Sequence, residues 1–131
     1  MPRVKKLTPN LIVSSVEQSL SFYEGVLGFA RGMTVPEQSP FVFASVTSGP
    51  IEIFFNDRST VSKESPQFAG RSFGGGNTMF VELDGVDAYH SEIKDRVKIV
   101  LPIVTQWYGM REFAIEDPDG YVITFAERVT L

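Results

Sequence analysis

The chain has 131 residues, of which 43% are hydrophobic and 21% charged, a composition typical of one globular domain with a real core. Its net charge of −4 argues against binding to nucleic acid or to an anionic membrane surface, because both favour clustered lysine and arginine. The absence of cysteine excludes disulfides, thiolate metal ligands and a cysteine nucleophile.

The first half of the sequence begins with a short strand pattern at 10–14, after which Ser14 or Ser15 can cap a helix. Gly28 is placed to end that helix. One face of the helix is apolar and contains Val16, Leu20, Tyr23 and Leu27. Apolar segments separated by glycine, proline and serine then predict three strands, at 29–35, 41–46 and 51–55.

The segment 57–76 is polar, contains three consecutive glycines and has no clear period, so it is predicted to be a long connection. The same order of elements then returns. A strand at 78–83 precedes a helix that Asp84 or Asp87 can cap and that runs from Val86 through Val97. Three further strands are predicted, at 99–104, 110–115 and 121–126.

The two halves match element by element, with Thr8 corresponding to Thr78 and Glu52 to Thr124. We therefore predict a single α+β domain over 1–131, built from two βαβββ repeats at about 7–56 and 77–128. One helix covers only one face of each sheet, so two such units can curl their bare faces toward each other and enclose a cleft. The alternative is an α+β fold whose halves match by chance.

Three motifs resemble one known family. "SVEQSLSFYEGVLGF" (15–29) resembles its first helix, "VELDGVDAYHSEI" (81–93) its second-half strand and helix, and "DPDGYVITFAE" (117–127) its final turn and strand. The chain thus resembles the glyoxalase/bleomycin-resistance/extradiol-dioxygenase superfamily, with its vicinal oxygen chelate fold. The resemblance implies curled mixed sheets around a cleft and a homodimer.

Metal-dependent members of that family take two ligands from each half, usually histidine, glutamate or glutamine. The resemblance places these positions at Thr8, Glu52, Thr78 and Thr124. Threonine hydroxyls are poor ligands, and one carboxylate does not hold a catalytic divalent ion. The only histidine, His90, is interpreted as a helix-surface or helix-packing residue. We therefore predict no metal and no cofactor, and the metal-free bleomycin-resistance branch becomes the closer comparison.

Strand alternation sorts the side chains that can line the cleft, because residues two apart share a face. Glu52 is interpreted as an acid/base or a ligand anchor, or alternatively as a rim carboxylate or the partner of a buried arginine. Asn10 suits a ligand amide or carbonyl, or a hydrogen bond at a strand end. The predicted ligand-binding residues are Asn10, Glu52, Phe54, Trp107, Tyr108 and Arg111.

The stretch "QWYGMREF" (106–113) offers Trp107 and Tyr108 as stacking surfaces, although Trp107 also suits core or dimer packing. Arg111 and Glu112 alternate, so one of them should face the cleft. Arg111 can hold a carboxylate or phosphate, or can form a structural pair with Glu52.

We predict metal-independent binding of a small organic molecule, with antibiotic sequestration or resistance as the analogous function. The alternative is a glyoxalase-like lyase, an isomerase or a dioxygenase-related enzyme that uses Glu52, and a third hypothesis is a structural module. The sequence does not decide whether the protein is an enzyme. The chain has no signal-peptide pattern and no run of about 20 apolar residues, so a cytoplasmic location is expected, without membrane or nucleic-acid partners.

Overall fold

The computed structural model describes residues 2–129 and contains two compact units, Met1–Arg71 and Ser72–Leu131, which are described separately. The elements of the first unit are β1 (Asn10–Val13), α1 (Val16–Gly25), β2 (Ala30–Val35), β3 (Phe43–Ser48), β4 (Ile51–Asp57), α2 (Arg58–Glu64) and a 3₁₀ turn (Pro66–Phe68). The elements of the second unit are β5 (Thr78–Glu82), α3 (Val86–Ile93), β6 (Lys98–Thr105), β7 (Met110–Glu116) and β8 (Val122–Arg128).

Each unit contains one four-stranded mixed sheet, and the two sheets have the same topology. The strand orders are β1-β4-β3-β2 and β5-β8-β7-β6. The first strand of each unit pairs in parallel with the last, and the remaining pairs are antiparallel. The predicted α+β fold of two βαβββ repeats is confirmed. That the chain is a single domain stays a prediction.

Helix α1 packs on one face of the first sheet because its apolar stripe meets alternate residues of the central strands. Tyr23 is fully buried, and its ring lies 4.8 Å from that of Phe55 and 5.9 Å from that of Phe29. Strand residues on the same face of the sheet as Phe55 are buried and form the core: Leu11, Val13, Ala44, Val46 and Ile53. Strand residues on the opposite face form what we call the α1-distal face: Asn10, Ile12, Phe43, Ser45, Thr47, Glu52, Phe54 and Asn56.

Helix α3 packs on the second sheet in the same way. Tyr89 contacts Phe125 at 5.0 Å between ring centroids, and His90 contacts Phe113 at 4.9 Å, so His90 is a helix-packing residue. Burial raises the pKa of Tyr89 to about 12. The opposite side, which we call the α3-distal face, is formed by Thr78, Phe80, Glu82, Glu112, Ala114, Val122, Thr124 and Ala126.

The two helices begin differently. Ser15 caps α1, its hydroxyl accepting a hydrogen bond from the Gln18 amide at 3.1 Å. At the start of α3, neither Asp84 nor Asp87 is the cap. Gly85 occupies that position with φ 79°, and the Glu127 carboxylate on β8 accepts hydrogen bonds from the Gly85 and Val86 amides at 2.9 and 3.1 Å. A residue distant in sequence therefore completes the helix, which local capping rules do not anticipate.

The connection predicted at 57–76 contains regular structure. Asp57 caps α2, accepting from the Thr60 amide at 3.2 Å, although α2 has no buried residue and so no apolar period that would reveal it. Within residues 2–129, the helices are all too short or too polar to cross a membrane.

The turn between β7 and β8 is fixed by Asp117, a buried carboxylate that accepts from the Asp119 and Tyr121 amides at 2.9 Å each. Gly74 lies against this turn with φ +71°, and a Cβ there would be 2.5 Å from the Gly120 carbonyl oxygen.

Candidate functional site

Glu52 lies on the α1-distal face near the start of β4, next to the segment that contains Thr8 and leads into β1. β1 begins at Asn10, but the parallel pairing continues one residue earlier, since the Phe54 amide donates to the Pro9 carbonyl at 2.9 Å. Thr8 is half-buried just before this contact. Glu52 forms an ion pair with Lys6, and its side chain remains 25% exposed. Its carboxylate is thus paired yet accessible to solvent.

Next to Glu52, the same face combines polar and aromatic groups. The Asn56 side-chain amide donates a hydrogen bond to the side-chain oxygen Oδ1 of Asn10. The Phe54 ring meets the Phe43 ring edge to face at 5.2 Å. Asn10 is exposed and Phe54 half-buried, so both are available to a ligand.

Ser45 is the buried polar residue of the α1-distal face. It lies opposite Phe54 in the β3–β4 register, is 3% exposed, and accepts from the Met33 amide at 2.9 Å. Gly32 packs against its hydroxyl so closely that a Cβ would clash. This serine is therefore satisfied within its own unit.

The α3-distal face of the second sheet is more hydroxylic. Thr124 lies opposite Phe80 on β5 and Ala114 on β7, while Thr78 is one pair further along, opposite Val122. Phe80 is 55% exposed. Thr78 and Thr124 share this face and supply only hydroxyl oxygens there.

Glu112 is a candidate site residue that was not among the residues predicted from the sequence. It lies on the α3-distal face opposite Ala126 on β8 and Val104 on β6, and it is 4% exposed. Oε1 accepts from the Tyr108 hydroxyl at 2.5 Å and from Gln106 Nε2 at 3.3 Å. Oε2 is buried without a hydrogen-bond partner.

The Glu112 contact also affects Tyr108. Its hydroxyl donates to the carboxylate, and this hydrogen bond raises the pKa of Tyr108 above its usual value. A signal for Glu112 was present in the sequence: Phe113 and Ile115 are apolar and pack toward α3, which sends Glu112 to the other face.

Trp107 lies in the turn between β6 and β7 and is 86% exposed. Its ring meets Tyr108 edge to face at 5.3 Å, and Gly109 closes the turn with φ +87°. Core packing within its own unit therefore does not account for Trp107. The ligand and dimer alternatives both stay predictions.

Arg111 lies on the α3 side of β7. Its Nε donates to Asp87 on α3 at 2.8 Å, and its Nη1 donates to the Thr105 hydroxyl at 3.1 Å. Glu52 and Arg111 thus each have a partner within their own unit. These contacts favour a structural role for Arg111, and its predicted ligand role stays a prediction.

The residues at the family's metal positions do not fit a divalent ion. They supply three threonine hydroxyls and one carboxylate, and Lys6 already pairs with that carboxylate. Across residues 2–129, histidine, aspartate and glutamate side chains form no group of three that could hold a metal.

Comparisons with known proteins agree with this architecture. A family model described as the Glyoxalase/Bleomycin resistance protein/Dioxygenase superfamily matches residues 5–125. A bleomycin resistance protein from Geobacillus stearothermophilus is 29% identical over 131 residues, covering 92% of this chain and 95% of that protein.

Two solved structures share the fold. A glyoxalase/bleomycin resistance protein/dioxygenase from Nocardioides has a TM-score of 0.80 at 16% identity, covering 98% of this chain and 86% of that chain. A protein of unknown function from Agrobacterium tumefaciens has a TM-score of 0.79 at 23% identity, covering 98% of each chain.

Proposed function

Since this chain belongs to the Glyoxalase/Bleomycin resistance protein/Dioxygenase superfamily, we propose that it binds a small organic molecule without a metal ion, in the manner of antibiotic sequestration. The observation that carries the proposal is the α1-distal face. There an accessible aromatic pair, Phe43 and Phe54, lies next to the hydrogen-bonding groups of Asn10 and Glu52. Apolar surface with a few oriented polar groups is the usual composition of a small-molecule site.

The names of the curated relatives support the choice of ligand. The relative from Geobacillus stearothermophilus is called a bleomycin resistance protein, and this chain matches it over nearly the full length of both. In our proposal, Phe54 supplies apolar contact, and Asn10 and Glu52 orient the ligand. Trp107 and Tyr108 offer a second aromatic surface in the other unit.

A ligand screen tests this proposal. Thermal shift followed by titration calorimetry with bleomycin and other aromatic antibiotics should identify a binder. Glu52→Gln should weaken it roughly tenfold, because a hydrogen bond to a charged group contributes about 1.5–3 kcal/mol. Glu24→Gln is the matched control, since Glu24 is also half-buried and ion-paired, with Arg31 at 2.7 Å, but lies on α1. Equal weakening by both variants, or no binder in the screen, would contradict the proposal.

The metal-free part of the proposal has its own test. Titration with Zn²⁺, Ni²⁺, Mn²⁺ and Fe²⁺ should give no binding at micromolar concentration, because the donor set is mostly hydroxylic. Binding near one ion per chain would overturn it and would favour the metal-enzyme alternative. Homodimerisation and a cytoplasmic location belong to the same proposal, and a solution mass of twice 14.6 kDa would support the dimer.

A further inference from the structure

Only one of the two oxygens of the Glu112 carboxylate accepts hydrogen bonds. Oε1 accepts two hydrogen bonds, from Tyr108 and Gln106, whereas Oε2 is buried and accepts none. A buried carboxylate oxygen without a donor is costly, because the hydrogen bonds of water have been lost and not replaced. Native proteins retain few such groups, so this one requires a physical explanation.

The second sheet offers Oε2 no evident donor. The residues opposite Glu112 in the two neighbouring strands are Ala126 and Val104, whose side chains are apolar. The cation next in sequence, Arg111, points to α3 and pairs with Asp87. Meanwhile Tyr108 and Gln106 fix the orientation of the carboxylate through Oε1. Oε2 is therefore a rigidly held acceptor.

We propose that Glu112 Oε2 binds a protonated amine or amidinium group of an aromatic ligand. This inference rests on the proposed function and assigns a cationic ligand class to the α3-distal face of the second unit. An N–H⁺ donor restores the missing hydrogen bond and neutralises the buried charge, and such charge-assisted bonds are about twice as strong as neutral ones. A neutral or anionic ligand does not compensate the carboxylate in this way.

The aromatic part of the ligand follows from the neighbouring turn. Tyr108 bonds Glu112 through its hydroxyl and contacts the exposed Trp107 through its ring. Trp107 thus presents an exposed indole surface against the tyrosine that bonds the carboxylate. Aromatic rings pair favourably with flat ligands, and their faces also attract cations.

Two probes that share one aromatic group and differ in charge test the inference. Biphenyl-4-ylmethylamine is protonated at neutral pH, and its N-acetyl derivative is neutral but keeps the ring and one N–H. Calorimetry should show at least a tenfold preference for the amine. Trp107 is the chain's single tryptophan, so its indole N–H gives one assigned NMR signal, which the amine should shift.

Variants locate the preference. Glu112→Gln keeps the side-chain shape and should abolish the preference for the amine. Glu116→Gln is the matched control, because Glu116 lies on the same strand but pairs with Lys98 at 3.0 Å, and it should preserve the preference. Tyr108→Phe removes one positioning hydrogen bond and should reduce the preference without abolishing it.

The outcomes separate this inference from the proposed function. If the antibiotic screen finds a binder but the amine and its acetyl derivative bind equally to the wild-type protein, only the inference is wrong. A preference that survives in Glu112→Gln also overturns it. If neither the screen nor the probes bind, both are wrong. The wild-type comparison decides the matter even where a variant does not fold.

Discussion

At the scale of single residues, the second unit depends on a close approach between two glycines. Gly74 has φ +71°, a conformation that favours glycine, and faces the Gly120 backbone. The turn that contains Gly120 is held by Asp117, whose buried carboxylate accepts hydrogen bonds from two backbone amides. A side chain at position 74 would therefore disturb a turn with little freedom to move.

Gly74→Ala should destabilise the protein by more than about 2 kcal/mol. The left-handed backbone costs about 1–2 kcal/mol for alanine, and the contact with the Gly120 carbonyl adds to that. Gly75→Ala is the control, because a Cβ there meets no atom within 4 Å. Urea unfolding of both variants measures the difference, and equal stabilities would contradict the explanation.

The sequence predicts the face on which a side chain lies where that face follows from strand alternation. Glu52, Asn10 and Phe54 were placed on one face by alternation, and the structure places them there. The partner of each side chain was not predictable. Glu52 pairs with Lys6 and Arg111 with Asp87, and both contacts join residues far apart in sequence.

At the scale of elements, strand β4 separates two kinds of aromatic residue. Phe55 is fully buried and contacts Tyr23 on α1, whereas its neighbour Phe54 is half-buried on the α1-distal face. Adjacent phenylalanines thus belong to the core and to the candidate site, respectively.

Phe55→Ala should lower the free energy of unfolding by about 3–5 kcal/mol, because it opens a cavity under α1. Phe54→Ala should lower the free energy of unfolding by roughly 1–2 kcal/mol, since the variant loses only a partly exposed ring contact with Phe43. Denaturant titration compares the two. If Phe54→Ala proves the more damaging, the assignment of faces is wrong.

Element prediction worked where an apolar period exists and failed where none does. The strands were predicted from apolar segments that turn residues separate, and the two amphipathic helices from apolar side chains at helical spacing. Helix α2 was missed because it buries no residue. Asp84 or Asp87 was predicted to cap α3, but Gly85 occupies the cap position. The first amides of the helix donate to Glu127, which only the folded sheet brings near.

At the scale of the whole molecule, each unit has a glutamate whose ionised carboxylate joins a helix start to a segment distant in sequence. Glu17 accepts one hydrogen bond from the Ser39 hydroxyl and one from the Phe41 amide. Both bonds lower its pKa below 4.5, the Ser39 bond having the larger effect. Glu127 accepts from the Gly85 and Val86 amides, with the same effect on its pKa. Both units therefore share a sensitivity to acid.

A lowered pKa means that the folded state binds the proton less readily than the unfolded state. The stabilisation from Glu17 and Glu127 is thus present above pH 4.5 and is lost as the pH falls through the lowered values. The double variant Glu17→Gln/Glu127→Gln should be less stable at pH 7 and should lose less stability between about pH 5 and 3. An unchanged pH slope in urea unfolding would contradict this.

The two repeats differ at a second matched position, besides Glu52 and Thr124. Ser45 and Glu112 both lie opposite the residue that follows the expected metal position by two, yet Ser45 is satisfied and Glu112 keeps a free oxygen. Because only the second repeat carries this acceptor, a ligand with one positively charged end should contact the second unit through that end, and analogues that lack the charge there should bind more weakly.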